Sequence, residues 1–101
     1  MTDKRLRLLG LCRRGGMLIT GEEAVGNAAR QTHSVKLIVV ANDVSDNTRK
    51  RVEAHARAGN IPLLELPHNR KILGHALGLA HCACAGVTDK KMAQQIQQLL
   101  D

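Results

Sequence analysis

The unbroken run Leu37-Ile38-Val39-Val40-Ala41 constrains the fold more than any other feature of the chain. A half-exposed strand alternates apolar with polar side chains, whereas a continuous β-branched run presents apolar groups on both faces. The run therefore predicts a central strand with helices packed on each side. The segments around it supply those helices.

Thr2 or Asp3 can cap a first helix that places Leu8, Leu9 and Cys12 on one face and Lys4, Arg7, Arg13 and Arg14 toward water, with Gly15-Gly16 stopping it. After the short apolar stretch Met17-Leu18-Ile19, the string Thr20-Gly21-Glu22-Glu23 matches a capping box and starts a second helix, with Ala24, Val25, Ala28 and Ala29 as its buried stripe. Ser45 or Asp46 caps a third helix reaching about Ala58, with Thr48, Val52 and Ala56 inward. Its outer face carries Arg49, Lys50, Arg51 and Arg57, and Gly59 terminates it.

Ile61 to Leu66 reads as a second strand with Pro62 at its start or on an edge. Asn69 caps a fourth helix that turns Ile72, Leu73, Ala76 and Leu77 inward and ends at Gly78, and Cys82 to Val87 is a last, small-residue strand. Thr88 or Asp89 opens a final helix with Met92, Ala93, Ile96 and Leu100 on its core side. Strands alternating with helices predict an α/β fold with a largely parallel sheet between helix layers and right-handed crossovers. With 101 residues and no internal repeat or linker, residues 1–101 form one domain.

Composition narrows the function. A formal charge of +6 favours a polyanionic partner, because clustered cations release counterions from a phosphate backbone. The chain has no Phe, Tyr or Trp, so it cannot stack bases as aromatic sheets and grooves do. A nucleic-acid ligand would have to be held by backbone amides, cations and shape. No apolar run approaches the roughly 20 residues of a membrane span, and Met1 to Arg14 lacks the apolar segment of a signal peptide. Three cysteines, two of them one residue apart, fit a reducing compartment, so the expected location is cytoplasmic.

Several chemistries are not expected. Neither glycine-rich nucleotide fingerprint is present, which argues against a nucleotide cofactor. Cys82-x-Cys84 beside His81 has half the donors of a zinc site and lacks the usual spacing, so the two thiols are expected on one strand face, packed against a helix, with no metal. His75 falls beside the inward stripe of the fourth helix, and His33, His55 and His68 fall at loop or polar positions. No nucleophile has a recognisable setting and no carboxylate pair is placed for acid and base work, so no catalysis is expected.

The segment Ile19 to Asn27 is more informative, since a strand end, a glycine and a helix start leave several N–H groups unpaired. Such a terminus attracts anions. Glu22 and Glu23 could equally satisfy those amides and complement the helix dipole.

Five strings, in this order and spacing, resemble the kink-turn-binding L7Ae/L30e family of ribosomal proteins, and in particular its small bacterial YlxQ-like branch. They are Leu8-Leu9-Gly10-Leu11-Cys12-Arg13-Arg14-Gly15, Thr20-Gly21-Glu22-Glu23-Ala24-Val25, Lys36-Leu37-Ile38-Val39-Val40-Ala41-Asn42-Asp43, Ser45-Asp46-Asn47-Thr48-Arg49-Lys50 and Leu73-Gly74-His75-Ala76-Leu77-Gly78. The resemblance spans nearly the whole chain. It implies a three-layer α/β/α sandwich with a small mixed, mostly parallel sheet, and binding of structured RNA, ribosomal RNA above all, by a cytoplasmic monomer that also meets ribosomal proteins.

In that family RNA is gripped by the helix start after the first strand and by the loop before the last strand. By resemblance these are Gly21, Glu22, Glu23, Ala24, Asn27 and Arg30, and Leu79, Ala80 and His81. The basic residues Arg13, Arg14, Arg30, Lys36 and the Arg49 to Arg51 cluster are expected to supply phosphate contacts. The family's kink-turn binders carry Gly, then Asn or Lys two residues on, then Glu or Gln, and later a Lys. This chain keeps Gly21 but has Glu23, Ala24 and Asn27 in the later places. Glu23 sets a carboxylate where a base or phosphate would come, Ala24 cannot hydrogen-bond through its side chain, and Asn27 removes a cation. The alternative is a protein-interaction module on ribosomal or transcription complexes that keeps the scaffold and has lost kink-turn binding.

Overall fold

The structure, a computed structural model, describes residues 3–31 and 34–99. The elements run α1 (Lys4–Arg14), β1 (Leu18–Thr20), α2 (Glu22–Gln31), β2 (Leu37–Val40), α3 (Asp46–Gly59), β3 (Leu63–Glu65), α4 (Arg70–Ala76), β4 (Cys84–Val87) and α5 (Lys90–Gln98).

The sheet order is β1-β4-β2-β3, so the last strand of the chain lies in the middle. β4 is antiparallel to both β1 and β2, and only β2 and β3 are parallel. The sheet is mixed, as the resemblance implies, but antiparallel pairing predominates, which corrects the expectation of a largely parallel one. A chain that alternates strand and helix gives each strand a crossover, but the direction of a strand depends on where it inserts, and β4 inserts head to tail between two earlier strands.

The three-layer sandwich follows from β2, which is buried throughout. Leu37 and Val39 point into one core with Leu9 and Cys12 of α1, Leu73 of α4, and Ala93 and Ile96 of α5. Ile38 and Val40 point into the other with Val25 of α2, and Val52 and Ala56 of α3. Helices α1, α4 and α5 therefore cover one face, and α2 and α3 the other. The period of two along one strand divides the molecule.

Local chemistry sets most helix ends. Asp3 caps α1 by accepting from the Arg5 and Leu6 N–H groups, while Ser45, Asn69 and Asp89 cap α3, α4 and α5. At α2 the expected capping box gives way to another arrangement. Thr20 ends β1, and Gly21 takes the capping position, with its carbonyl accepting from Val25 N–H at 3.0 Å. At the end of α3 it is Asn60, at φ 53°, that takes the left-handed conformation, while Gly59 stays helical. A Cβ on Gly59 would stand 2.8 Å from the Ala29 carbonyl oxygen, so this glycine serves the close approach of α3 to α2.

Two expectations for buried faces change. Ala24 is exposed, and Gly26 takes its place in the α2 stripe. Ile72 is 45% exposed, because Leu73 and Leu77 fill the core side of the short α4. Arg5 is buried on α1, with Nη2 donating to the Leu99 carbonyl. β3 is confined to Leu63–Glu65, with Pro62 just before it and its carbonyl accepting from Ile38 N–H. Thr2, His33 and Leu100 lie outside the described residues.

Candidate functional site

The sheet gathers its polar connections at one end. Thr20 pairs with Ala85, and Val40 with Cys84, so the end of β1, the end of β2 and the start of β4 meet there. Gly21 N–H donates to the Cys84 carbonyl at 3.1 Å, and Ala41 N–H to the Ala83 carbonyl at 2.8 Å, which fastens the start of α2 and the segment after β2 to the approach of β4. The loop between α4 and β4 is fixed by its backbone. Leu79 N–H donates to Gly74, and Cys82 N–H to Arg70. Gly74 lies so close under His81 that a Cβ there would overlap the His81 backbone. Exposed Ala80 and His81, with half-buried Leu79, are thereby presented beside the start of α2.

Gly21 is exposed at φ +95°, with nothing within 4 Å of where a Cβ would stand. That conformation favours glycine, and the open space lets a ligand approach the backbone. Val25 is the first donor that bonds back into the helix, so the N–H groups of Glu22, Glu23 and Ala24 precede the helical ladder. The two acids beside them behave differently.

The Glu22 side chain turns away from these amides toward α3. Its Oε1 accepts from Arg51 Nε, and its Oε2 lies 3.1 Å from His55 Nε2. The Arg51 hydrogen bond, followed by that of His55, holds the Glu22 carboxyl below its ordinary value, against the smaller opposing effect of burial. Glu23 stays exposed at the helix start.

His55, only 9% exposed, is the centre of this network and corrects the expectation of a polar surface position. Arg30 Nη1 lies 3.2 Å from His55 Nδ1. A guanidinium can only donate, so Nδ1 accepts and Nε2–H donates to Glu22. Arg30 Nη2 also donates to Asn27 Oδ1 at 3.2 Å, and Arg51 Nη2 to Thr48 Oγ1 at 3.2 Å. The ring fits because Gly26 faces it: a Cβ on Gly26 would stand 2.6 Å from Cε1 and Nε2. Glu22, Gly26 and Arg30 follow one another at a spacing of four, forming the α2 stripe that meets Thr48, Arg51 and His55 of α3. The sequence pattern gives His55 only a polar position and Gly26 no role of its own. The available signal was a mid-helix glycine between an acid and a base at helical spacing.

The expected site residues divide. Gly21, Glu22 and Glu23 lie at the end of the sheet where the Leu79 to His81 loop leads into β4. Arg13 reaches this end too, with Nη1 donating to the Leu77 carbonyl and lying 3.5 Å from where a Gly78 Cβ would be. Asn27 and Arg30 lie one and two turns further along α2, bonded to each other. Arg14 lines a groove between α1 and α4. Lys36 is at the opposite end of the sheet, its N–H donating at 2.7 Å to Val87, three residues and roughly 10 Å along β4 from Cys84. In the Arg49 to Arg51 cluster, Arg49 pairs with Glu65 and Arg51 with Glu22.

The thiols also part company. Cys82 sits before β4 in the core under α1 and α4, Cys84 in the core under α2 and α3, so they do not share a face. Burial, reinforced by the charges of Cys82 and Glu22, pushes the Cys84 thiol up to about 12. Among the described residues no group of three His, Cys, Asp or Glu is placed to hold a metal, and no helix is long and apolar enough to cross a membrane.

Comparison with known proteins agrees with this architecture. The family model of the ribosomal protein L7Ae/L30e/S12e/Gadd45 family matches residues 3–97. Among relatives, the RNA-binding protein YlxQ of Enterococcus faecium is 33% identical over 99 residues, covering 98% of this chain and 93% of the relative. The RNA-binding protein YlxQ of Bacillus subtilis (strain 168) is 31% identical over 94 residues, covering 93% and 92%. A solved structure of a protein with unknown function from Bacillus halodurans C superposes with a TM-score of 0.88 at 31% identity, over 95% of both chains. From the match to its model along almost the full length and from these YlxQ relatives, this chain is a member of the ribosomal protein L7Ae/L30e/S12e/Gadd45 family.

Proposed function

We propose that the protein binds structured RNA, and a kink-turn-like fold in particular, through the start of α2 and the Leu79 to His81 loop, acting as a cytoplasmic monomer on ribosomal RNA. The observation that carries this reading is the exposed, left-handed Gly21, fastened to the Cys84 carbonyl beside that loop and followed by amides that precede the helical ladder. The names of the two YlxQ relatives, RNA-binding proteins both, support it.

The grip would work without stacking. N–H groups at a helix start are suited to phosphate oxygens, and turning Glu22 aside onto Arg51 and His55 keeps one carboxylate out of their way. Arg13 adds a cation at the loop, and Arg14, Arg30 and Lys36 would attract the polyanion from further off. Glu23 is the remaining obstacle. No catalytic step is part of this reading.

Fluorescence anisotropy with a kink-turn RNA duplex and a fully paired control tests the reading. The kink-turn RNA should bind more tightly, with log K falling against log salt by about 0.7 to 0.9 per phosphate contact. Glu23→Lys should tighten binding further. A flat salt response, or equal affinity for the paired control, would exclude kink-turn recognition.

One observation favours the second reading, a protein-interaction module. Arg49, Arg51 and Arg70 are paired with Glu65, Glu22 and Asp43, which lowers the charge available to phosphates. Pull-down before and after RNase treatment separates the two. Partners lost on digestion support RNA binding, and partners that persist support the module.

A further inference from the structure

On the face covered by α1, α4 and α5, helices α1 and α4 enclose a groove of about 850 Å³. This is within the roughly 300–1,000 Å³ typical of ligand clefts. The two helices touch closely at one point, where a Cβ on Gly10 would stand 2.8 Å from the Ala76 carbonyl oxygen. Half-buried Leu6 and Ala76 contribute aliphatic wall, with Leu77 buried behind them, and Ile72 projects into the opening at 45% exposure. A single exposed isoleucine is unremarkable on a surface. Here it stands in a concave site with cations around it.

Arg7 and Arg14 line the groove from α1 and are exposed, and exposed His75 faces them from α4. Among the described residues neither Arg7 nor Arg14 has a carboxylate partner. The one acid in the lining, Asp3, is already engaged: it caps α1 through the Arg5 and Leu6 N–H groups and lies 3.0 Å from His68 Nε2. The groove therefore combines an aliphatic floor with a rim of uncompensated guanidinium groups.

Those two properties select a partner. An arginine fork matches a carboxylate through two parallel hydrogen bonds, and an aliphatic floor takes leucine or isoleucine from one face of a helix. RNA could answer the charge, but it would leave the exposed Ile72 facing a polar ligand. We infer that the groove between α1 and α4 docks a short amphipathic helix of another protein, with aliphatic residues at i, i+3/i+4 spacing on Ile72 and Leu6 and acidic residues beside them on Arg7 and Arg14. The groove shares Arg13 and Arg14 with the cations of the RNA reading, whereas Ile72 belongs to the groove alone, so Ile72→Glu tells the two apart.

Selection of helical peptides from a randomised display library on the immobilised full chain tests it. The selected peptides should be enriched in Glu or Asp flanking Leu or Ile at helical spacing. Their affinity should fall about tenfold or more with Ile72→Glu and with the Arg7→Ser, Arg14→Ser double variant. Both variants change exposed side chains, so their unchanged circular dichroism and melting temperature would show that the fold is intact. Enrichment without acids, or binding that survives both variants, would overturn the inference. So would protection of the groove by a kink-turn RNA, or self-association of the chain abolished by Ile72→Glu. Affinity for kink-turn RNA that is unchanged in Ile72→Glu would keep the two sites distinct.

Discussion

The two covers of the sheet solve one problem in different ways. The α1, α4 and α5 side buries Leu9, Leu37, Leu66, Leu73 and Ile96, large aliphatic groups that seal the core and leave a cleft outside it. The α2 and α3 side has Val25, Val52, Ala56 and Ile38, and brings its two helices together over Gly26 and Gly59. The space between those helices is occupied by an imidazole and its partners. One cover is fixed mainly by apolar volume, and the other depends in part on the geometry of a hydrogen-bonded network that also directs Glu22 away from the helix start.

The contrast makes measurable claims. Leu9→Ala should have the largest effect, a loss of about 2–5 kcal/mol in urea unfolding, because a fully buried leucine leaves a cavity. A loss below about 1 kcal/mol would mean that this cover is loosely packed and the contrast fails. His55→Ala should cost less, about 1–3 kcal/mol, since it leaves Glu22 and Arg30 without their central partner. Gly26→Ala should also destabilise, because its methyl would press on the ring, and adding it to His55→Ala should relieve that pressure. Additive losses in the double variant would show that the two residues do not interact.

The smallest effect is in acid. Glu22, on the α2 and α3 side, is held below its ordinary value by Arg51 first and then His55. Asp3, on the other side, is also lowered: burial pushes its carboxyl up, but hydrogen bonds from His68, Leu6 and Arg5 outweigh burial. A carboxylate lowered on folding contributes stability above its unfolded pKa and loses it as pH falls through the folded one. Stability should therefore decline below about pH 4.5, the ordinary glutamate value. Glu22→Gln should flatten part of that decline and Asp3→Asn another part. An unchanged acid profile in Glu22→Gln would remove the charge from the account of the clamp.

Much of the fold was legible because it is written locally. The β-branched run at Leu37 to Ala41 announces two covered faces, and Asp3, Ser45, Asn69 and Asp89 announce helix starts. Strand direction was not legible, since nothing within Cys84 to Val87 states that it will lie between β1 and β2. Ile72 misled because residues 72, 73, 76 and 77 make a plausible stripe, whereas a helix as short as α4 buries only its narrower Leu73 and Leu77 seam. Of the candidate site, Gly21 could be read from its place between a strand and an acidic helix start. His55 could not, because its burial depends on the missing Cβ of a glycine on another helix. The separation of Lys36 from Gly21 likewise depends on strand register, which spacing along the chain does not encode.

The central position of β4 has a consequence for how the protein comes into being. Among the described residues β1 has no neighbour in the sheet other than β4, which follows it by more than sixty positions. During synthesis the first strand must wait, unpaired, until residues 84–87 have left the ribosomal tunnel, and the Cys84 carbonyl that anchors Gly21 arrives at the same late moment. Assembly of the Gly21 surface is thus tied to the emergence of β4.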